Sequence, residues 1–183
     1  WGVWQEVMID LAENAHYRVY ALDFWGFGES AKANTPPFKV QSYAQMVDQF
    51  MEILGIERAP VMGHSMGGTV ALQLALDYPG RVTRAGAISA PIVGSSLNIL
   101  LKVAALNWIQ LAQRLPFLTH VIVRSLIQLN TARDSERVRK MLLHDVNRTS
   151  MESFFRSIGD LRHIDLRSQL SELRIPILGV SGK

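Results

Sequence analysis

The segment from Gly63 to Gly68 constrains the fold more than any other part of this 183-residue chain. It reads GHSMGG, which contains the pattern G-x-S-x-G, and it lies between a short apolar run at residues 61–62 and an apolar run beginning at Val70. A serine in such a sharp strand-to-helix turn has strained backbone angles, and its hydroxyl projects from the top of the sheet. The pattern therefore predicts a nucleophilic serine, Ser65, where a strand ends.

The residues around Ser65 have distinct predicted roles. A side chain at Gly63 or Gly67 is expected to collide with neighbouring backbone, and Gly67 with Gly68 lets the helix start close to the strand. The N–H of Met66 lies at the helix N-terminus, where it can donate to an oxyanion; one such donor contributes about 3–4 kcal/mol in known enzymes. The alternative is a glycine-rich turn that merely contains a serine. The strand before it and the buried helix after it favour the nucleophile.

Apolar periodicity predicts alternating helices and strands in the first half of the chain. Helices are expected at residues 1–12, from a capping box at Ser42 and Gln45 to about Leu54, and directly after Ser65. The second helix is expected to end at Gly55 and to bury Tyr43, Met46, Val47, Phe50 and Ile53. Short strands are expected at residues 17–22, 61–63 and 83–89. This alternation indicates a parallel sheet with right-handed crossovers.

The pattern changes to almost entirely helical between about Ile92 and Asp165. Helices are predicted at residues 97–115, 118–129, 135–146 and 150–161, and strand character returns at residues 175–180. The predicted class is α/β, a mostly parallel sheet flanked by helices with an all-helical insertion. The predicted divisions are residues 1–91 for the first part of the core, 92–166 for the insertion and 167–183 for the return strand.

Composition excludes several classes of function. The net charge is only +3, and the arginines near residues 134–148 alternate with acidic residues, which indicates a solvated helix face and no nucleic-acid surface. The absence of cysteine excludes disulfides, thiolate catalysis and Cys-based metal sites. The five histidines show no metal-binding spacing, so neither a metal nor another cofactor is expected.

The sequence predicts no transmembrane segment. Its longest uncharged run, residues 85–101, is too short and too interrupted by glycine, proline and serine to span a bilayer. The chain starts without Met, as the interior of a domain would, so targeting is left open, and the absence of cysteine makes the cytoplasm the default expectation. The oligomeric state is left open.

The loop after residue 22 contains two features with competing interpretations. Residues 26–31 fit the dinucleotide pattern G-x-G-x-x-A, but the loop runs on to Pro36-Pro37 where that fingerprint requires a helix. Asp23 could be a catalytic acid, although fixing the turn through backbone N–H groups is the favoured role.

The histidines offer no clear base for Ser65. His64 is its neighbour, and adjacent residues at a sharp turn point apart. His120 and His144 fall in predicted helices of the insertion. His163 and Asp160 share one short segment, which disfavours a triad that links both to Ser65.

Together these features resemble the α/β-hydrolase superfamily, in the branch with a helical cap. The resemblance rests on DFWGFGES at residues 23–30, GHSMGG at 63–68, the helical insertion and IPILGVSG at 175–182. It implies that the loop at 23–30 shapes the pocket and that the insertion is the cap. Serine at the elbow, where other members have aspartate, implies hydrolysis of an ester, thioester, amide or C–C bond. The apolar cap helices between residues 97 and 129 would pack on the core and line a lipophilic pocket.

The resemblance also implies parts that this sequence does not contain. The family order is Ser, acid, His, with the acid after the strand that matches residues 175–180 or after an earlier strand, and the His after a later strand. A His-Gly loop ahead of residues 1–12 would supply the second oxyanion donor. Its strand would lie between the strands expected at residues 17–22 and 61–63, which would otherwise be about 10 Å apart. The chain is therefore expected to be a fragment that alone neither hydrolyses efficiently nor folds robustly.

Two functions remain as hypotheses. In the first, the protein is a carboxylesterase-like serine hydrolase that acts on a small or medium lipophilic ester through Ser65, with its His and acid beyond this chain. In the second, it is a non-catalytic α/β-hydrolase-like protein that binds a ligand or partner. Such members usually have a damaged elbow, so the intact GHSMGG favours the first.

Overall fold

The computed structural model describes residues 2–32, 36–97, 121, 140, 143–144 and 146–181. Its contacts divide the chain into two compact units, Trp1–Thr35 with Trp108–Phe154, and Pro36–Asn107 with Phe155–Lys183. The boundaries predicted at residues 91 and 166 do not coincide with the boundaries of these units, and they stay a prediction. The predicted helices at 97–115 and 118–129, and His120, lie almost wholly outside the described residues, as does most of the helix predicted at 135–146.

Within the described ranges, three parallel strands form the sheet of the second unit. They are β1 (Ala59–His64), β2 (Val82–Ile88) and β3 (Ile177–Val180), hydrogen-bonded in that order. Gly63 pairs with Ala87, which in turn pairs with Gly179. The strands predicted at residues 61–63, 83–89 and 175–180 are therefore confirmed, and so is the parallel sheet.

The helix that follows β1 covers the sheet. This helix, α3 (Met66–Asp77), contacts β1 and β2 and also packs against α2 (Val40–Ile53). It is buried on most sides, as its sequence predicted, and Leu72 and Leu74 are 2% and 1% exposed. Burial of a leucine side chain of this kind contributes about 1.5–3 kcal/mol. The β1–α3–β2 crossover is thus the core of the second unit.

Helix α2 differs from its predicted start. It begins at Val40, and its N-cap residue Lys39 makes no side-chain capping bond, so the predicted capping box is wrong. Ser42 lies inside the helix, where its hydroxyl no longer occupies the N-cap position. The buried residues are Val40, Tyr43, Ala44 and Met51, whereas Ile53 is 83% exposed.

The end of α2 is as predicted. Gly55 adopts φ +66 and donates to Glu52 O, while Ile56 N–H donates to Met51 O at 2.8 Å. These two bonds make a Schellman motif, in which a left-handed glycine satisfies the last carbonyls of a helix.

The first unit begins with helix but does not contain the predicted strand. A turn of 3-10 helix at Gly2–Trp4 leads into α1 (Gln5–Asn14). Residues 17–22 form no ladder bond within the described part of the chain, and Tyr17 and Tyr20 are exposed. The prediction of a strand there is wrong, because β-prone side chains make a strand only where a partner backbone pairs with them.

The segments at the two ends of the predicted insertion lie side by side. Leu166 N–H donates to Ile92 O at 2.9 Å, Gly94 N–H donates to Ile164 O at 2.7 Å, and Val93 forms an antiparallel bridge with Asp165. The helix predicted at 150–161 is confirmed as α4 (Met151–Leu161), and a short helix α5 (Arg167–Leu170) follows the bridge. None of the helices in the described ranges has the length and apolar character that a membrane span requires.

Candidate active site

Ser65 stands at the junction of β1 and α3 in a strained conformation. Its φ is 53° and its ψ is −125°, a combination that L-residues rarely adopt and that costs about 1–3 kcal/mol. Its N–H donates to Ile88 O at 2.8 Å, and its carbonyl accepts from Gly68 N–H at 2.9 Å. The strand ladder on one side and the first helical turn on the other therefore hold the strained residue, and its side chain is exposed.

The glycines of the turn have unequal roles. A Cβ added to Gly63 would overlap the backbone of Gly67 and Gly68, and one added to Gly68 would lie 2.7 Å from the Cβ of Ala90. Gly67 has open space at its Cβ position among the described residues, so the predicted collision there is wrong. Gly63 therefore lies in close contact with the backbone at the start of α3. Only the Cβ position of Gly63, and not that of Gly67, points into that contact.

Met66 is the first residue of α3. Its N–H is one of the four at a helix N-terminus that have no acceptor inside the helix, and the helix dipole makes this end positive. The structure thus puts Met66 at the predicted position, while its role as an oxyanion donor stays a prediction.

Thr69 fixes the start of α3 in a way that the sequence analysis missed. Its hydroxyl is fully buried and donates to Pro91 O at 3.0 Å, which ties the helix to the segment after β2. A lone threonine among the apolar residues of a buried helix was the available signal.

Among the described residues, no hydrogen bond joins a histidine to the Ser65 hydroxyl. His64 ends β1 with an exposed side chain, and His144 and His163 are exposed as well. Asp160 Oδ2 accepts the N–H of Val40, so this carboxylate serves as a helix cap. The described part of the chain also holds no cluster of three or more possible metal ligands among its acidic and histidine residues.

Asp23 fixes the glycine-rich loop, as predicted. Its Oδ2 accepts from Glu29 N–H at 3.1 Å, and its carbonyl accepts from the hydroxyl of Ser30. A Cβ on Gly28, where φ is +51°, would overlap the Asp23 carboxylate. No helix begins at these glycines, and the next helix in the described part of the chain starts at Val40, so the requirement of the dinucleotide fingerprint is not met.

The same loop is held by the start of α4, which the sequence analysis did not anticipate. The carbonyl of the buried Gly26 accepts from Ser150 N–H at 2.8 Å and from Ser153 Oγ at 2.9 Å. Glu29 and Arg148 form an ion pair nearby. The serine pair at 150 and 153 gave no sequence signal beyond its place in the first turn of a helix.

A family model of the α/β hydrolase fold matches residues 1–160 of the chain. The chain is 45% identical over 85 residues to the dihydrolipoyllysine-residue acetyltransferase component of the acetoin cleaving system of Cupriavidus necator. The matched segment is 45% of this chain and 22% of that protein. It is 26% identical over 180 residues to the 2-hydroxy-6-oxononadienedioate/2-hydroxy-6-oxononatrienedioate hydrolase of Paraburkholderia phymatum, which is 96% of this chain and 62% of that protein.

Solved structures share the fold. The enol-lactonase from Burkholderia xenovorans LB400 superposes with a TM-score of 0.79 at 23% identity, over 100% of this chain and 68% of that one. The chain spans less than two thirds of the length of either curated relative. The match to the family model covers most of the chain, and the β1–Ser65–α3 turn lies inside it. The chain therefore belongs to the α/β hydrolase fold family.

Proposed function

We propose that the whole protein is a carboxylesterase-like serine hydrolase in which Ser65 is the nucleophile and Met66 N–H is an oxyanion donor. The observation that carries the proposal is the conformation of Ser65, φ 53° and ψ −125°, at an exposed turn between a strand and a helix. Backbone strain of this kind persists where the surrounding structure holds it, and it is concentrated at functional sites.

In the proposed reaction, Ser65 Oγ attacks the ester carbonyl carbon and gives its proton to a histidine base. The carbonyl oxygen becomes an oxyanion that accepts a hydrogen bond from Met66 N–H, at the positive end of α3. The C–O bond then breaks, and the leaving alcohol takes the proton from the imidazolium. Water hydrolyses the acyl-enzyme by the same route. The proposal assigns the base and its acid to a part of the whole protein that this chain does not include.

The proposed substrate is a small or medium lipophilic ester. Support comes from the apolar sequence of residues 97–129, which the family resemblance assigns to a cap over the site. The two curated relatives are named for different reactions, an acetyltransferase component and a dioate hydrolase. The ester class therefore depends on the serine at the elbow and not on those names.

Labelling with a fluorophosphonate probe tests the nucleophile. We expect the full-length protein to be labelled stoichiometrically and Ser65→Ala to lose the label. Ser168→Ala is the matched control, because Ser168 is an exposed serine on α5 and not part of the turn between β1 and α3, and it should keep full labelling.

The second hypothesis, a non-catalytic ligand- or partner-binding protein, predicts a different result. It predicts an unlabelled wild type that hydrolyses no ester. Labelling that persists in Ser65→Ala would equally overturn the assignment of Ser65.

A further inference from the structure

A second serine with a strained backbone ends the strand next to that of Ser65. Among the described residues, only three non-glycine residues have positive φ: His16 at 55°, Ser65 at 53° and Ser89 at 47°. Ser65 directly follows β1, and Ser89 directly follows β2. Two of the three outliers therefore lie at the carboxyl edge of neighbouring parallel strands.

The two serines have equivalent positions in the sheet. Ser65 N–H donates to Ile88 O at 2.8 Å, and Ser89 N–H donates to Val180 O at 2.7 Å. Each makes a last ladder bond to the next strand, and the chain then leaves the sheet. Ser89 directly follows Ile88, the residue that accepts from Ser65 N–H. Since neighbouring strands are about 4.8 Å apart, the two serines occupy adjacent places at one edge.

No contact with the described residues gives the Ser89 hydroxyl a role in stabilising the fold. The side chain is exposed and makes no hydrogen bond to any described residue. Glycine would adopt φ 47° without strain, yet the chain has serine here. A strained, exposed polar residue beside a candidate nucleophile has the character of a group that meets a ligand.

We propose that Ser89 is a substrate-positioning residue that determines specificity, an inference that rests on the proposed function. Its hydroxyl binds a hydroxyl or keto group carried next to the ester carbonyl that Ser65 attacks. A serine hydroxyl both donates and accepts, so it suits either group. The separation of neighbouring strands matches a substituent one or two bonds from the carbonyl carbon. The site thereby selects 2-substituted esters among otherwise lipophilic ones.

A matched pair of esters tests this selection in the full-length protein. The probes are ethyl 2-hydroxybutanoate and ethyl butanoate, which differ only in the hydroxyl. In Ser89→Ala we expect kcat/KM for the hydroxy ester to fall about 2- to 10-fold, the value of one neutral hydrogen bond, and kcat/KM for ethyl butanoate to stay unchanged. Ser89→Gly, which also removes the strain at φ 47°, should show the same selective fall.

His16→Gly is the control for relief of strain, since His16 has φ 55° and lies outside β1 and β2. It should leave the ratio between the two esters unchanged. An equal fall for both esters in the Ser89 variants, or no fall for either, would overturn the positioning role while leaving the proposed function intact. A wild type that is neither labelled nor able to hydrolyse ethyl butanoate would overturn the proposed function, before any Ser89 variant is compared.

Discussion

The carboxylate of Asp160 caps helix α2, with Oδ2 2.9 Å from the nitrogen of Val40, a residue 120 positions earlier in the chain. The helix has no capping side chain of its own, because Lys39 occupies the N-cap position. An acceptor from a distant segment thus satisfies one of the four amides that a helix N-terminus leaves unbonded. The start of α2 consequently depends on tertiary structure.

We expect Asp160→Ala to lower the free energy of unfolding by about 1 kcal/mol, the usual value of a lost N-terminal cap. Asp160→Asn keeps an acceptor oxygen and should lose less. Urea denaturation followed by circular dichroism measures both. Glu57→Ala, at an exposed position outside the helices, is the control and should change stability by less than about 0.5 kcal/mol. Equal losses in Asp160→Ala and Glu57→Ala would contradict the capping role.

Tyr43 and Ser157 share a buried hydrogen bond, with 2.7 Å between their hydroxyl oxygens. Tyr43→Phe leaves Ser157 without this partner and should cost about 1–3 kcal/mol of stability. Ser157→Ala should cost a similar amount. The double variant should cost less than the sum, because it removes both hydroxyls of the shared bond together. A double-mutant cycle in urea measures the coupling, and strict additivity would show that the bond contributes nothing.

Stability should also fall at high pH because of Tyr43. Burial raises its pKa from the usual 10.0 to about 12, so the folded state keeps the phenol proton at a pH where the unfolded chain has lost it. Ionisation of the phenol then favours the unfolded chain. The contribution of the raised pKa to stability is complete below pH 10 and is lost as the pH rises towards 12. Urea midpoints between pH 8 and 12 should decline less in Tyr43→Phe. Tyr17→Phe, which alters a tyrosine that is 58% exposed, should follow the wild type.

The glycines of the Ser65 turn should respond in opposite directions. Gly63→Ala places a Cβ into the backbone of Gly67 and should cost about 1–3 kcal/mol or more, with loss of fluorophosphonate labelling. Gly67→Ala has room and lies in a helix, so it should gain up to about 1 kcal/mol. Thermal unfolding and labelling of the two variants measure this contrast. A Gly67→Ala variant as unstable as Gly63→Ala would contradict the assigned geometry.

The local parts of this fold could be predicted from sequence, and the parts that depend on distant partners could not. The β1–α3–β2 order and the ending of α2 at Gly55 follow from short-range periodicity and from one glycine. The capping box at Ser42 was wrong because the acceptor for α2 comes from Asp160. The strand at residues 17–22 was wrong because pairing, and not β propensity, makes a strand.

The candidate site divides in the same way. The sequence placed Ser65 and Met66 at the strand–helix turn, because the spacing of G-x-S-x-G encodes that turn directly. It did not identify Ser89, because this residue is marked by its positive φ and by its position next to Ser65 at the edge of the sheet. Nor did it show that a Cβ at Gly63, and not one at Gly67, would overlap neighbouring backbone, since the direction of a Cβ depends on the exact path of the turn.

The bond between Ile92 and Leu166 also bears on how such a protein can change. With Val93 bridged to Asp165, the chain departs from and returns to one fixed point. The segment between these two residues can lengthen at a small entropic cost, about 0.6 kcal/mol for each doubling of its length, without altering the register of β2 with β3. Recombination that keeps this pairing, together with α4 whose Ser157 and Asp160 hold α2, can thus exchange the rest of the segment, so that selectivity diversifies while the sheet and its serine turn are inherited intact.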